Sequence, residues 1–290
     1  MQKDGSIIDL TEGIGPRWSP DGTRVAFWAN TPGGLNEIFI MDSEGSNARN
    51  LTNSASSWET RPVWSPNGSM VAFDAEAIGS GKGLGIITSD GMERHFVPTG
   101  TPLTNSAWFP DGGSLLFHTV VGSRIQIHSV RSDGTGEMPL TSDTTVDFSG
   151  GKISPNGVYF SYSRLDSSGQ DFVAIIIRNL TSGQEDDFPG KISGTTWSPK
   201  SDWLYCTEIS VSGHRIVRIS PIAKIKQDLS RKATSSTYND AVASLSSDGK
   251  WLAFTSDRSG PRLIYMMSAD GSNQQQVTID PQLRDASWKP

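Results

Sequence analysis

The chain has 290 residues, with 25 Lys and Arg against 31 Asp and Glu and a formal net charge of −6. A surface that tracks a nucleic-acid backbone needs clustered excess positive charge, so nucleic acid is excluded as a partner. Hydrophobic residues at 35%, charged residues at only 19% and nine Trp exclude a disordered chain, while 30 Gly and 16 Pro mark one rich in turns.

At roughly 150 residues per domain the length suggests two domains, although all-β rings of this size fold as one. The longest apolar run, Phe172–Ile177, is far short of the roughly 18 residues that span a bilayer, so no membrane insertion is expected. Met1-Gln2-Lys3-Asp4-Gly5 opens no apolar signal core, which implies a periplasmic location if a signal has been removed and a cytoplasmic one otherwise. The single Cys206 excludes an internal disulfide framework.

Self-similarity organises the chain. Trp18-Ser-Pro-Asp-Gly22 is followed by Trp64-Ser-Pro-Asn-Gly68, Trp108-Phe-Pro-Asp-Gly112, Ile153-Ser-Pro-Asn-Gly157, Trp197-Ser-Pro-Lys-Ser201, Leu245-Ser-Ser-Asp-Gly249 and Trp288-Lys-Pro290. The anchors recur every 43 to 48 residues, and a second signal keeps the same beat, as in Leu51-Thr52, Leu140-Thr141 and Val277-Thr278. Between them, runs such as Val25-Ala-Phe-Trp28 and Ile38-Phe-Ile-Met41 alternate with period 2 and end at Gly, Pro, Asn or Asp, which is strand chemistry. Each period reads as four strands: one entering the anchor, one after the Pro-Asp-Gly turn, one like that around Ile38 and one before the Leu-Thr pair. Ile222, Ile225 and Leu229 suggest one helical turn. A four-stranded sheet with two apolar faces buries both only by stacking on copies of itself. The fold class expected is all-β, a six-bladed β-propeller of four-stranded antiparallel blades in a single domain over 1–290, with repeats anchored near 18, 64, 108, 153, 197 and 245. Spare strands at 5–11 and 284–288 are expected to close the ring; seven blades, one incomplete, is the alternative.

Leu252 to Gly260, Ile264-Tyr265-Met266, Asp270-Gly-Ser-Asn273 and Val277-Thr278 closely resemble the repeat of TolB-like β-propellers, the PD40 or WD40-like type. Trp18–Phe27 and Trp64–Phe73 match its Trp-Ser-Pro-Asp-Gly repeat. The resemblance implies the fold; function varies among TolB itself, prolyl oligopeptidase-like peptidases and oligogalacturonate lyase-like enzymes.

Motifs for catalysis are missing: there is no Gly-x-Ser-x-Gly, His-Glu-x-x-His, phosphate loop or Cys-x-x-Cys. Gly79, Gly81, Gly83 and Gly85 read as a hairpin loop, because no helix follows to supply a phosphate cradle. Asp42–Asn47 lacks the twelve-position pattern of a Ca²⁺ loop and reads as a turn. His118 and His128 fall on neighbouring strands, but a hairpin centred near 122 leaves them offset, and His95 and His214 stand apart. Cys206 reads as a small buried hydrophobe. The sequons at Asn50, Asn67 and Asn179 have meaning only on a eukaryotic secretory route. No catalytic residue, metal or cofactor is expected.

In-phase Trp18, Trp64, Trp108, Trp197 and Trp288 should pack between blades. Function should lie where repeats disagree, in loops entering the first strand of each blade, which would converge at the channel mouth. There Trp58, Glu59 and Arg61, with Asn105, Asp147, Tyr238, Asp240 and Asp285, would form an acidic, aromatic-edged funnel. An aromatic anchor and an Arg with carboxylates suit a protein or peptide partner, so a non-catalytic, monomeric binding scaffold is expected. The alternative is a propeller enzyme, a polysaccharide lyase or hydrolase, with at least two of His118, His128, His214, Arg61 and Arg284 gathered beside a carboxylate.

Overall fold

The structure, a computed structural model, describes residues 13–79, 81–101, 106–230 and 238–278. Its main chain divides into two compact units, Met1–Thr144 and Thr145–Pro290. In the first, three antiparallel sheets follow one another: β1 (Ile14–Trp18) to β4 (Arg49–Asn50) through β2 (Arg24–Asn30) and β3 (Asn36–Asp42); β5 (Ser57–Trp64) to β8 (Arg94–Pro98) through β6 (Met70–Ala77) and β7 (Gly81–Thr88); and β9 (Ala107–Trp108) to β12 (Met138–Pro139) through β10 (Ser114–Val121) and β11 (Arg124–Arg131). The second holds β13 (Phe148–Ile153), β14 (Tyr159–Leu165), β15 (Phe172–Asn179) and β16 (Glu185–Pro189); β17 (Lys191–Trp197), β18 (Leu204–Ser210), β19 (Gly213–Ser220) and β20 (Ile225–Asp228); and β21 (Asp240–Leu245), β22 (Trp251–Ser256), β23 (Leu263–Ser268) and β24 (Gln275–Gln276). Every described sheet has four strands in sequence order, as the 45-residue repeat predicts. The spare segments 5–11 and 284–288 lie outside the described residues.

Period-2 alternation assigns the two faces of each sheet to different neighbours. Val71, Phe73 and Ala75 of β6 join Ala26, Ile38 and Ile40 of the first sheet in one buried cluster, whereas Ala72 turns the other way to Leu115, Phe117 and Val130 of the third. The second unit repeats this, with Ile175 and Ile177 packed on Cys206 and Val217, and Tyr205 and Ile216 packed on Leu252 and Phe254. A one-residue slip would expose both sets at once, so register is strongly fixed.

Each sequence signal resolves into one recurrent bond. The anchor Trp seats on the sheet before it: Trp64 Nε1 donates to Arg17 O (3.0 Å), Trp108 Nε1 to Val63 O (3.1 Å) and Trp197 Nε1 to Lys152 O (3.3 Å), in each case the carbonyl just ahead of the preceding anchor. The Ser-Pro-Asp/Asn-Gly turn closes on itself. Ser19 Oγ donates to Asp21 Oδ1 (2.6 Å), Thr23 N–H to the same oxygen (3.1 Å) and Arg24 N–H to Ser19 Oγ (2.9 Å), and Asn67 and Asn156 replace the Asp in equivalent sets. The Leu-Thr pair supplies an acceptor for the start of the third strand: Ile38 N–H donates to Thr52 Oγ1 (3.1 Å), Ile127 to Thr141 (2.9 Å) and Ile264 to Thr278 (3.0 Å), with Ser230 serving Ile216 (2.9 Å).

Three expectations change. Trp18 is 56% exposed rather than packed, because within its unit no described sheet precedes β1 to receive its indole. Trp288 lies outside the described residues. Residues 222–229 form a turn and then strand β20, not a helical turn: Ile222 and Ile225 are exposed while Leu229 is buried. Of the glycine run only Gly79 is in the turn; Gly81, Gly83 and Gly85 belong to β7. Gly85 is required there, since a Cβ would stand 2.2 Å from the Phe73 ring.

A Trp64→Phe substitution keeps the buried ring but deprives the Arg17 carbonyl of its donor. It should lower unfolding free energy by about 1–2 kcal/mol, read from the urea midpoint, while Trp18→Phe should stay within about 0.5 kcal/mol of the parent. Asp21 and Asp248 are pulled down to about 2 from the ordinary 3.8, mainly by the Ser19 and Ser246 hydroxyls and then by turn N–H groups. Folding thus favours their ionised forms: this stabilisation is intact above pH 3.8 and is lost as pH falls towards about 2. Melting temperature should drop across that window, and less so in an Asp21→Asn, Asp248→Asn double variant, whose amides would bond as Asn67 and Asn156 already do.

Candidate functional site

Strand β5 carries the sequence Ser57-Trp-Glu-Thr-Arg-Pro-Val-Trp64. Alternation buries Ser57 and Glu59 and leaves Trp58 44% exposed, opposite Glu76 of β6. A bulge interrupts the pairing between Thr60 and Val63, and within it Arg61 adopts φ 56°. The bulge recurs three residues ahead of other anchors, and there the left-handed residue is glycine: Gly15 (φ 62°), Gly150 (φ 73°) and Gly194 (φ 58°). Glycine adopts this conformation without strain, whereas a residue with a Cβ is penalised by about 1–2 kcal/mol. The Arg61 side chain is 54% exposed and its Nε lies 3.9 Å from Asp74 Oδ2, a loose contact with a buried carboxylate.

Beneath this exposed pair lies a fixed ionic floor. Glu59 is fully buried; its Oε1 accepts from Ser57 Oγ (2.6 Å) and from the Arg94 guanidinium. Arg94 reaches in from β8, also donates to Ser57 Oγ (3.2 Å) and lies over the Phe73 ring at 5.5 Å. Ser57 Oγ is 2.7 Å from Ser54 Oγ, whose residue donates its N–H to the buried Glu37 (2.9 Å). Glu59 Oε2 has no hydrogen-bond partner among the described residues.

In the second unit Asp240 occupies the corresponding position, five residues before its anchor as Glu59 is before Trp64. It too is fully buried: Oδ2 accepts from Arg258 Nη2 (2.6 Å) and Ser230 Oγ (3.2 Å), and Oδ1 has no partner among the described residues. Arg258 also donates to Gln274 Oε1 (2.6 Å) and Ser256 Oγ (3.0 Å) and is enclosed by the rings of Tyr238, Phe254 and Tyr265 at 5.0–5.1 Å. Desolvation, reinforced by the Asp240 charge, pushes the half-buried Tyr238 phenol up. Asn239 is held by Asp257 through its N–H (2.6 Å) and its amide (2.8 Å).

The expected acidic funnel is altered accordingly. Glu59 and Asp240 are interior carboxylates neutralised by Arg94 and Arg258 instead of accessible rim charges. Trp58 and Arg61 share strand β5 of the first unit; Asp147 and Tyr238, both half-buried, belong to the second. Asn105, Asp285 and Arg284 lie outside the described residues. Arg94 and Arg258 carry no signal in the sequence, because they approach their carboxylates from 35 and 18 residues away.

The histidines do not gather. His118 pairs with Ile127 and His128 with Phe117, so the two imidazoles project from opposite faces of the β10–β11 hairpin. His118 is buried, and His128 Nδ1 lies 2.8 Å from Glu137 Oε1. His214 is tied to Asn239 by its backbone N–H (3.2 Å), and His95 lies on β8 opposite Ile86. Cys206 is fully buried and its thiol is pushed up by desolvation, the opposite of a nucleophile's need. Among the described residues no three His, Cys, Asp or Glu side chains form a group that could hold a metal. No helix is long and apolar enough to cross a membrane.

Comparison with known proteins places this architecture. A stretch of 54 residues is 41% identical to the uncharacterized peptidase YuxL of Bacillus subtilis (strain 168), spanning 17% of this chain and 8% of that protein. TolB from Acinetobacter baumannii superposes with a TM-score of 0.53 at 17% identity, over 88% of this chain and 63% of TolB. Oligogalacturonate lyase from Vibrio parahaemolyticus gives 0.61 at 14% identity, over 89% of this chain and 78% of the lyase. At these identities the likeness to solved structures is one of fold. This chain thus spans less than two thirds of TolB and a small part of the peptidase. The model of the TolB beta propeller domain, PD40, matches residues 10–201, well over half of the sequence, and the chain belongs to that family.

Proposed function

We infer that this chain is a non-catalytic propeller, one domain over 1–290, that binds a protein or peptide partner through the residues around its first strands, with Trp58 and Arg61 as the principal contacts. The observation that carries this reading is Arg61. Three sister bulges use glycine where this one holds an arginine in a left-handed backbone, so the strain is not a demand of the fold. Non-glycine residues in such conformations cluster at binding and active sites, where the strained side chain is retained for what it touches. The half-exposed indole of Trp58, three residues earlier on the same strand, supplies the aromatic member of an Arg and Trp pair, the residue types that dominate interface energetics. The Glu59–Arg94 ion pair supports the reading from below, because it fixes the strand that presents both side chains.

An enzymatic role as a lyase or hydrolase would call for acid–base groups brought together. His118 and His128 project from opposite faces of their hairpin, and His128 meets a carboxylate, Glu137, at 2.8 Å.

Arg61→Gly separates binding from folding. It should leave stability unchanged or raise it by up to about 1 kcal/mol, by relieving the left-handed strain. Partner capture from native extract, quantified by mass spectrometry against the parent chain, should fall at least about tenfold, and Trp58→Ala should deplete the same partner. Retention of every captured protein by both variants would overturn the reading.

A further inference from the structure

Successive sheets meet through two positions of the repeat: the anchor, and the residue six beyond the preceding anchor. Arg24 lies over the Trp64 ring at 4.9 Å, Met70 packs in the cluster that holds Trp108, and Tyr159 stacks on Trp197 with ring centroids 6.0 Å apart. At the seam between the fifth and sixth sheets, both in the second unit, the pair is inverted. Leu245 is the anchor and the tryptophan, Trp203, stands at the other position, packed against the same cluster. Leucine lacks the reach of an indole, and this seam carries a cleft of about 410 Å³ lined by Trp203, Arg218, Lys200, Asp202, Lys250 and Asp270.

The polar groups of this cleft are fixed yet incompletely used. Arg218 stacks on Trp203 at 4.1 Å, donates Nε to Gln227 Oε1 (2.9 Å) and Nη1 to Ala269 O (3.0 Å), and is also hydrogen-bonded to the Tyr205 side chain. Tyr205 Oη donates to the same Ala269 carbonyl (2.9 Å), so two side chains of the fifth sheet converge on one carbonyl of the sixth. Lys200 is exposed, and Lys250 is engaged with Asp248 at 3.3 Å. Asp202 accepts from Ser198 Oγ (2.6 Å) through Oδ1, and Asp270 accepts from Ser272 N–H (2.9 Å) and Oγ (2.6 Å) through Oδ1, which leaves each a second oxygen. The cleft therefore offers anchored positive and negative groups together. A lone anion would face Asp202 and Asp270, and a lone cation would face Arg218 and Lys200. A sugar would seek the face of Trp203, which Arg218 already covers.

We propose that this cleft binds a zwitterion of dipeptide size, its carboxylate taken by the Arg218 guanidinium and Lys200 and its ammonium by Asp202 and Asp270. The volume lies near the lower end of small-ligand pockets, about 300–1,000 Å³, which suits two residues better than a longer peptide. The cleft shares no lining residue with Trp58 or Arg61.

The test uses the full chain labelled with ¹⁵N, observing the Trp203 indole N–H, assigned by its loss in Trp203→Phe. Ala-Phe should shift this signal saturably. N-acetyl-Ala-Phe and Ala-Phe amide should each bind at least about fivefold more weakly, since each leaves one set of fixed charges unpaired. Lys200→Ala, an exposed change with no bond to lose, should weaken Ala-Phe severalfold and leave the amide unaffected. Arg61→Gly should leave Ala-Phe binding intact whatever it does to protein partners. No saturable shift with Ala-Phe, equal binding of the blocked forms, or displacement of Ala-Phe by maltose would overturn the proposal.

Discussion

The bond from each anchor indole to the carbonyl just ahead of the previous anchor is the interaction on which the rest depends. It ties the first strand of one sheet to the first strand of the sheet before it, at Trp64, Trp108 and Trp197. The carbonyls at Arg17, Val63 and Lys152 are adjacent to the bulges of β1, β5 and β13, where ladder pairing is interrupted and an acceptor needs another donor. The tryptophan meets that need while its ring fills the space between sheets, so one residue serves both hydrogen bonding and packing. The repeat length follows, because the next indole must arrive after three further strands and their turns.

Where the anchor cannot donate, other groups take over. At Leu245 the seam is held by Val242 N–H donating to Thr207 Oγ1 (3.0 Å), by Tyr205 and Arg218 gripping the Ala269 carbonyl, and by Gln274 Nε2 donating to Leu229 O (2.9 Å). The same seam carries the cleft lined by Trp203, Tyr205 and Arg218 from the fifth sheet and by Lys250 and Asp270 from the sixth. Packing is short-ranged and hydrogen bonds are directional, so a side chain that loses volume is not replaced by bonds made around it.

Legibility in the sequence followed the range of each interaction. The 45-residue beat, the Asp or Asn of the turn and the Leu-Thr pair act within one sheet or between equivalent positions, so repetition exposed them. Arg94 and Arg258 were invisible for the opposite reason: each satisfies a carboxylate of its own sheet from a different place, one on the fourth strand and one in a loop, so no phase relation links them. The same blindness turned Glu59 and Asp240 into apparent surface charges. Gly83 and Gly85 read as turn residues because glycine usually marks backbone conformation; here it answers a ring, since Phe73 takes up the space a side chain on Gly85 would need. Trp18 broke its phase because periodicity describes what a residue can do, whereas burial also requires a neighbour to do it to.

The two buried ion pairs also explain how a binding strand can be both strained and ordered. A buried carboxylate with one uncompensated oxygen contributes little net stability, since desolvation offsets most of the attraction. Removing its partner is a different matter, because an unpaired buried charge destabilises by roughly 3–5 kcal/mol. Glu59 and Arg94 therefore act as a constraint on conformation: any movement of β5 that separates them exposes the chain to that penalty. Arg61 is two residues from Glu59, and its left-handed backbone is worth only about 1–2 kcal/mol of strain. The larger penalty keeps the smaller strain in place. Such a strand presents Trp58 and Arg61 already ordered, so a partner meeting them would lose little of its binding energy to freezing them.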